Sequence, residues 1–180
     1  MKHIGTRRLA LNAVLIAIYF VLNFYSIKIG NNIKLTFAAF PRLVAALLFG
    51  PVDGVLVAGI GEFLIQLLLY GLSPTTVLWV IPPVAHALTV GLYAWRRGFE
   101  LNRRQMGFIV LVAGLVNTII TSFSLYLDAR IWGYPSKLTG IVLLFRFINS
   151  IIMCAVYMAI MPRIIPRLRR VINRQAGDFH

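Results

Sequence analysis

Residues 35–70 have the sequence LTFAAFPRLVAALLFGPVDGVLVAGIGEFLIQLLLY, in which two long apolar runs are joined by the turn GPVDG at 50–54. Arg42 and Glu62 lie inside these runs rather than at their ends, and Arg146 lies inside a later one. A charge in lipid is costly unless it faces a polar interior or a partner. We therefore expect these three residues to mark a functional site within an integral membrane protein.

The composition supports a membrane protein. The chain has 180 residues, 59% of them hydrophobic, with a mean hydropathy of +0.83, which is too apolar for a soluble domain of this length. Apolar runs recur along the whole chain, so we predict one membrane domain over residues 1–180. The net charge of +13 would suggest nucleic acid in a soluble protein, but membrane proteins carry such charge on their cytoplasmic face. No nucleic-acid partner is expected.

Six segments are apolar enough to be transmembrane helices, each of which needs about 20 residues. The predicted spans are residues 9–29, 35–49, 52–70, 75–95, 108–127 and 138–161, followed by a basic tail at 162–180. Placing both termini in the cytoplasm puts most of the 18 Lys and Arg residues inside. We predict an all-α, multi-pass protein of the bacterial cell membrane with both termini cytoplasmic.

This orientation places the charged residues at similar depth. Arg42 and Arg146 lie roughly 10 to 12 Å below the outer surface at 1.5 Å per residue. Glu62 and Gln66 share one face of their helix, and Asn149 follows Arg146 one turn later. We predict a polar cavity that opens outward and binds a small molecule. Its predicted ligand contacts are Arg42, Glu62, Gln66, Trp79, His86, Asn117, Arg146 and Asn149.

Other interpretations of the cluster stay open. Glu62 could pair with Arg42 or Arg146 in a buried ion pair that only orients helices. Two arginines and one glutamate leave surplus positive charge, however, which favours an anionic ligand such as a carboxylate. An ion or proton channel or carrier subunit with Glu62 and His86 as a relay is the alternative function. Enzyme chemistry lacks a nucleophile motif, and the single cysteine, Cys154, offers no thiolate metal site, so neither catalysis nor a metal is expected.

The chain also lacks an energy source of its own. No GxxxxGK[ST] motif is present, so transport could not be driven by nucleotide hydrolysis in this chain. Ala13 and Ala17 place two small side chains on one face of the first helix, where a second helix can approach closely in lipid. A ligand cavity without an energy source, beside such a face, suggests a receptor that works with a membrane partner.

The sequence resembles the substrate-binding S component of energy-coupling factor (ECF) vitamin transporters. The resemblance lies in the length, the six spans, the Ala-x-x-x-Ala motif, the run KLTFAAFPRLVAALLFGPVDG at 34–54 and the Arg-Phe-Ile-Asn motif at 146–149. The last two are similar to the folate-type branch. Residues 61–63 depart from the pattern of that branch. Residues 72–83 depart from it too, since they lack its glycine-rich motif. Folate or another carboxylate-bearing or heteroaromatic vitamin is therefore the implied ligand.

The resemblance implies a division of labour between subunits. This chain would bind the vitamin from outside, with Trp79 stacking on a ring and the first outer loop, residues 29–34, covering the site. Ala13 and Ala17 would contact a transmembrane coupling subunit that is joined to two cytoplasmic ATPases. ATP would be used by those partners, and no cofactor is expected in this chain.

Overall fold

The chain forms a bundle of six helices and one short hairpin in a computed structural model that describes residues 5–29, 33–133 and 140–177. The helices are α1 Thr6–Phe24, α2 Ala39–Leu48, α3 Pro51–Ile65, α4 Thr76–Arg96, α5 Arg103–Trp132 and α6 Gly140–Gly177. The strands are β1 Ile27–Ile29 and β2 Ile33–Leu35, and α3 continues into a π-helical segment, Gln66–Tyr70.

Four of these helices are long and apolar enough to cross a membrane. They are Pro51–Tyr70, Thr76–Arg96, Arg103–Trp132 and Gly140–Ile172. Arg8–Phe24 and Ala39–Leu48 are apolar but shorter. The described residues form a helix in each of the six predicted spans, whereas six membrane crossings and the position of the termini stay predictions.

The end of the first predicted span is wrong. Helix α1 ends at Phe24 rather than at residue 29, and the chain then forms an antiparallel hairpin in which Lys28 pairs with Lys34. Each strand has a lysine between two apolar residues, three of the four being isoleucine, and β-branched residues favour extended backbone. The hairpin is also an exception to the all-helical prediction. Residues 30–32 of the predicted covering loop lie outside the described residues.

The last two helices are longer than predicted from residues 108–127 and 138–161. Helix α5 begins five residues earlier, behind a capping box in which the Gln105 side chain accepts from the Asn102 backbone at 3.1 Å. Helix α6 has 38 residues and so measures about 57 Å at 1.5 Å per residue, nearly twice a bilayer core of about 30 Å. Its basic extension stays helical because arginine is a good helix former.

Two glycines allow helices α2, α3 and α4 to pack closely. A Cβ placed on Gly54 would lie 2.8 Å from the Cβ of Ala46, and one on Gly91 would overlap the backbone of Pro51. Glycine at these points lets the backbones approach within a distance that any side chain would prevent. The three helices form a rigid wall on which the polar residues are held.

An ion pair between half-exposed Arg8 and buried Asp53 joins the beginnings of helices α1 and α3. Arg8 Nε donates to Asp53 Oδ1 at 3.0 Å, and Nη2 of the same guanidinium contacts Asp53 Oδ2 and the Phe49 carbonyl. Asn12 Nδ2 donates to Asp53 Oδ1 at 2.6 Å. Asp53 is only 1% exposed, and its carboxylate is thus fully compensated by neighbouring donors.

Candidate functional site

A cavity of about 320 Å³ lies between the helices at the end where α2 begins. Every predicted contact residue except Gln66 lines it: Arg42, Glu62, Trp79, His86, Asn117, Arg146 and Asn149. Five different helices supply these residues, so the polar side chains scattered along the sequence converge on one space. Its volume lies within the range of small-molecule pockets.

Glu62 is already occupied by donors from within the protein. Its Oε2 accepts from the Tyr19 hydroxyl at 2.6 Å and from Asn23 Nδ2 at 3.4 Å, while its Oε1 accepts from Gln66 Nε2 at 3.1 Å. Gln66 therefore supports Glu62 rather than lining the cavity. Three neutral donors stabilise the carboxylate without neutralising the two arginines.

Gly61 makes the contact between Tyr19 and Glu62 possible. A Cβ on Gly61 would lie 2.6 Å from Cδ1 of the Tyr19 ring, closer than nonbonded carbons approach. The ring lies against the bare backbone of α3, which brings its hydroxyl to the carboxylate of the next residue. Tyr19 is 1% exposed and is held in this position by packing.

Arg42 points into the cavity from the first turn of α2. Its side chain is 9% exposed, and its Nε has no hydrogen-bond partner. The guanidinium interacts with the Tyr19 hydroxyl, and its charge also acts on His86 and Tyr157. The positive end of the α2 dipole lies at the same place, since Ala38 and Ala39 line the cavity too. This part of the cavity favours an anion.

Two more unpartnered nitrogens lie around the same space. Arg146 Nε on α6 and His86 Nδ1 on α4 are buried without a hydrogen-bond partner. Among the described side chains, neither Arg42 nor Arg146 forms an ion pair with Glu62, so the structural ion pair that the sequence left open is not observed. Buried polar groups are normally hydrogen-bonded. Of the four such exceptions in the described part of the chain, three line this cavity, and the fourth is Oδ1 of Asn12.

Helices α5 and α6 form the opposite, mostly neutral wall. The hydroxyls of Thr118 and Ser150 lie 2.8 Å apart and join the two helices. Gly114 allows this approach, because a Cβ there would overlap the sulfur of buried Cys154. Asn117 and Asn149 keep amides at the cavity wall. They can add neutral hydrogen bonds to a ligand that the arginines attract.

Several lining residues were missed from the sequence. Tyr19 and Asn23 follow Asn12 at spacings of seven and four, so one polar stripe along α1 could have been recognised. Thr36 and Tyr157 gave no such signal. The Thr36 hydroxyl donates to the Leu22 carbonyl at 3.0 Å, and Tyr157 donates to the Thr36 carbonyl at 3.4 Å. These bonds hold the end of the hairpin at the cavity.

The opposite face of α1 is apolar and open. Ala13 and Ala17 are exposed, as is Ala10 one turn earlier, whereas Tyr19 on the inner face is buried. The two predicted partner contacts are therefore accessible to another helix. Among the residues that the structure describes, no three His, Cys, Asp or Glu side chains lie close enough together to hold a metal ion.

Comparison with known proteins gives a family match over most of the chain. The family model for the ECF transporter substrate-specific component matches residues 7–165. No curated protein matches.

Two solved structures have a similar fold. The S component of a bacterial ECF transporter is 24% identical with a TM-score of 0.66, over 91% of this chain and 98% of that chain. FolT bound with folic acid is 18% identical with a TM-score of 0.66, over 86% of this chain and 90% of that chain. At these identities the likeness concerns the fold.

Proposed function

Because this chain belongs to the family of ECF transporter substrate-specific components, we propose that its cavity binds an anionic vitamin or vitamin precursor for uptake. The observation that carries this proposal is the set of unpartnered nitrogens on Arg42, Arg146 and His86. The natural complement of the two guanidinium groups is a carboxylate, since a guanidinium can hold both of its oxygens. The His86 imidazole can donate or accept one further hydrogen bond. Glu62 supplies no such complement because its own donors occupy it.

The apolar lining favours a ligand that also carries a ring. Trp79, Pro82 and Pro83 border the cavity beside the polar groups. An indole can stack on a heteroaromatic ring while the arginines hold its acidic group. The candidates are therefore folate and other vitamins that carry a carboxylate, a heteroaromatic ring or both. The FolT structure supports including folate.

Transport requires partners in this proposal. The exposed Ala13 and Ala17 offer a close-packing surface for a transmembrane coupling subunit, and two cytoplasmic ATPases would supply the energy. The predicted orientation, with both termini inside, puts the cavity near the outer surface. The vitamin would then enter from outside.

A thermal-shift screen of the purified protein tests the proposal. Each acidic vitamin is compared with its neutral counterpart, for example nicotinate with nicotinamide and pantothenate with pantothenol, with folate and biotin also included. A ligand that binds the folded state stabilises it by mass action, by about 2.7 kcal/mol at 100 times its dissociation constant. We expect an acid to raise the melting temperature and its neutral counterpart to have little effect.

Variants at the cavity complete the test. The Arg146→Ala variant should lose the shift, whereas Arg163→Ala, an exposed arginine on the same helix away from the cavity, should keep it. The proposal is wrong if no acidic vitamin shifts the melting temperature, or if Arg146→Ala leaves ATP-dependent uptake unchanged in cells that contain the partner subunits.

A further inference from the structure

A second cavity, of about 300 Å³, lies at the other end of the bundle. Its lining comes from α2, the α4–α5 connection, α5 and the basic extension of α6, and it shares no residue with the first cavity. The lining residues are Leu47, Phe99, Leu101, Met106, Ile165, Pro166, Arg169 and Arg170. The vitamin site explains none of them.

The walls of this cavity are apolar and fixed. Leu47, Met106 and Ile165 are all less than 5% exposed and belong to the main core of the bundle. An apolar lining offers water few hydrogen-bond partners. Its complement is a hydrocarbon segment.

The mouth of the cavity is strongly basic. Arg169 Nη2 donates to the Phe99 carbonyl at 2.7 Å, which attaches the α6 extension to the α4–α5 connection. Phe99 has a φ of 64°, so this carbonyl is presented from a strained turn. Arg170 is exposed beside it and forms no ion pair within the described part of the chain. Further exposed arginines surround this end: Arg96, Arg97, Arg103, Arg104 and Arg167.

We propose that this cavity binds one acyl chain of an anionic phospholipid whose phosphate is held by Arg169 and Arg170. The charge of the mouth is complementary to a phosphate, and the walls are complementary to a hydrocarbon chain. Helix α6 is nearly twice as long as a membrane core is thick, so its arginine-rich end extends beyond the hydrocarbon. The site is distinct from the vitamin cavity and does not depend on its ligand.

Lipid binding to the full chain in mixed micelles tests the proposal by native mass spectrometry. The probes are palmitoyl-oleoyl phosphatidylglycerol and palmitoyl-oleoyl phosphatidylcholine. We expect the Arg170→Ala variant to lose about fivefold in affinity for phosphatidylglycerol, on the order of one net hydrogen bond to the phosphate held at the cavity. The matched control, Arg167→Ala, removes an exposed arginine of the same helix that does not line the cavity, and should change the affinity by at most about twofold.

A second variant tests the acyl chain separately from the headgroup. Leu101→Trp should fill the cavity and weaken long-chain phosphatidylglycerol while leaving dihexanoyl phosphatidylglycerol and inorganic phosphate unaffected. If circular dichroism shows that this variant does not fold, Met106→Phe replaces it. Equal losses for Arg170→Ala and Arg167→Ala would overturn the proposal. So would unchanged long-chain binding in a folded, filled variant, or full competition by inorganic phosphate.

Discussion

The arginines at the two ends of the bundle have opposite environments. Arg8 donates to the Asp53 carboxylate and to the Phe49 carbonyl, and Asn12 donates a further hydrogen bond to the same carboxylate. Arg42 and Arg146 line the cavity with buried Nε atoms that lack a partner, although Glu62 lines the same space. At one end the protein thus compensates a buried carboxylate, Asp53, with a half-exposed arginine, and at the other it leaves two arginines incompletely bonded.

The difference distinguishes a charge that is paired within the protein from charges that we propose to be paired by a ligand. A paired buried charge is destabilising to break, because the remaining partner is left uncompensated. An unpaired buried charge is already unfavourable in the unliganded protein, and removing it relieves that penalty. Substitutions at the two ends should therefore have opposite effects on stability and on binding.

The largest effect on ligand affinity is expected for Arg42→Met and Arg146→Met. Each should weaken binding of the acidic ligand by about 100-fold, the loss typical of truncating one partner of a buried charge pair. The melting temperature of the unliganded protein should stay unchanged or rise, since methionine fills similar space without a charge. Calorimetric titration and a thermal melt measure the two quantities. A fall in both affinity and unliganded stability would contradict a ligand role.

The reverse result is expected at Arg8. Arg8→Gln should lower the free energy of unfolding by about 3 kcal/mol, because Asp53 stays buried without its cation. The dissociation constant of the folded protein for the ligand should change by about twofold at most. Denaturant unfolding measures the free energy of unfolding, and titration of the same preparation with the ligand measures the dissociation constant. If Arg8→Gln weakened ligand binding without lowering stability, Arg8 would behave like the cavity arginines, and the proposed contrast between the two ends would be wrong.

A smaller effect is expected where Tyr19 contacts α3. Gly61→Ala forces a methyl group into the Tyr19 ring and should destabilise the fold by about 1 to 3 kcal/mol while weakening the ligand by displacing the Glu62 network. Gly59→Ala is the matched control, since its Cβ would lie an ordinary 3.5 Å from Val84 Cγ2. Thermal melts compare the two variants. Equal melting temperatures would show that the close contact at Gly61 has no energetic role.

The smallest effect is expected at Glu62. Glu62→Gln removes a negative charge from a cavity proposed to hold an anion, so affinity for the acidic ligand should rise by about fivefold, on the order of 1 kcal/mol. Titration of the variant with the same ligand measures this change. A large loss of affinity would instead make Glu62 a direct ligand contact.

The helices could largely be predicted from the sequence, because apolar runs and turn residues report the local preference of the chain. The end of α1 could not be predicted, because the composition of residues 27–29 would also suit the end of a transmembrane helix. They form a strand because they pair with residues 33–35. The same holds for α5 and α6, whose polar ends continue the helix beyond the apolar run. Hydropathy predicts which residues are buried in lipid, but it does not predict where the hydrogen-bonded helix begins or ends.

The charged residues of the site could be predicted from the sequence, but their hydrogen-bond partners could not. Arg42, Glu62 and Arg146 were conspicuous as ionisable residues in apolar runs. Which of them already has partners depends on Tyr19 and Asn23, which come from a different helix and carry no charge to draw attention. Gln66 was placed on the correct face of α3, yet its amide is directed to Glu62. Side-chain partners across helices are fixed only by the packed bundle.

The most direct test of the unpaired arginines is the preference of the protein for an acid over its amide. The bound vitamin and its primary amide, matched in shape, are titrated against the original protein and against Arg146→Met. We expect the acid to bind about 100-fold more tightly to the original protein, and this preference to shrink to about fivefold or less in the variant. Equal binding of acid and amide to the original protein would contradict the account.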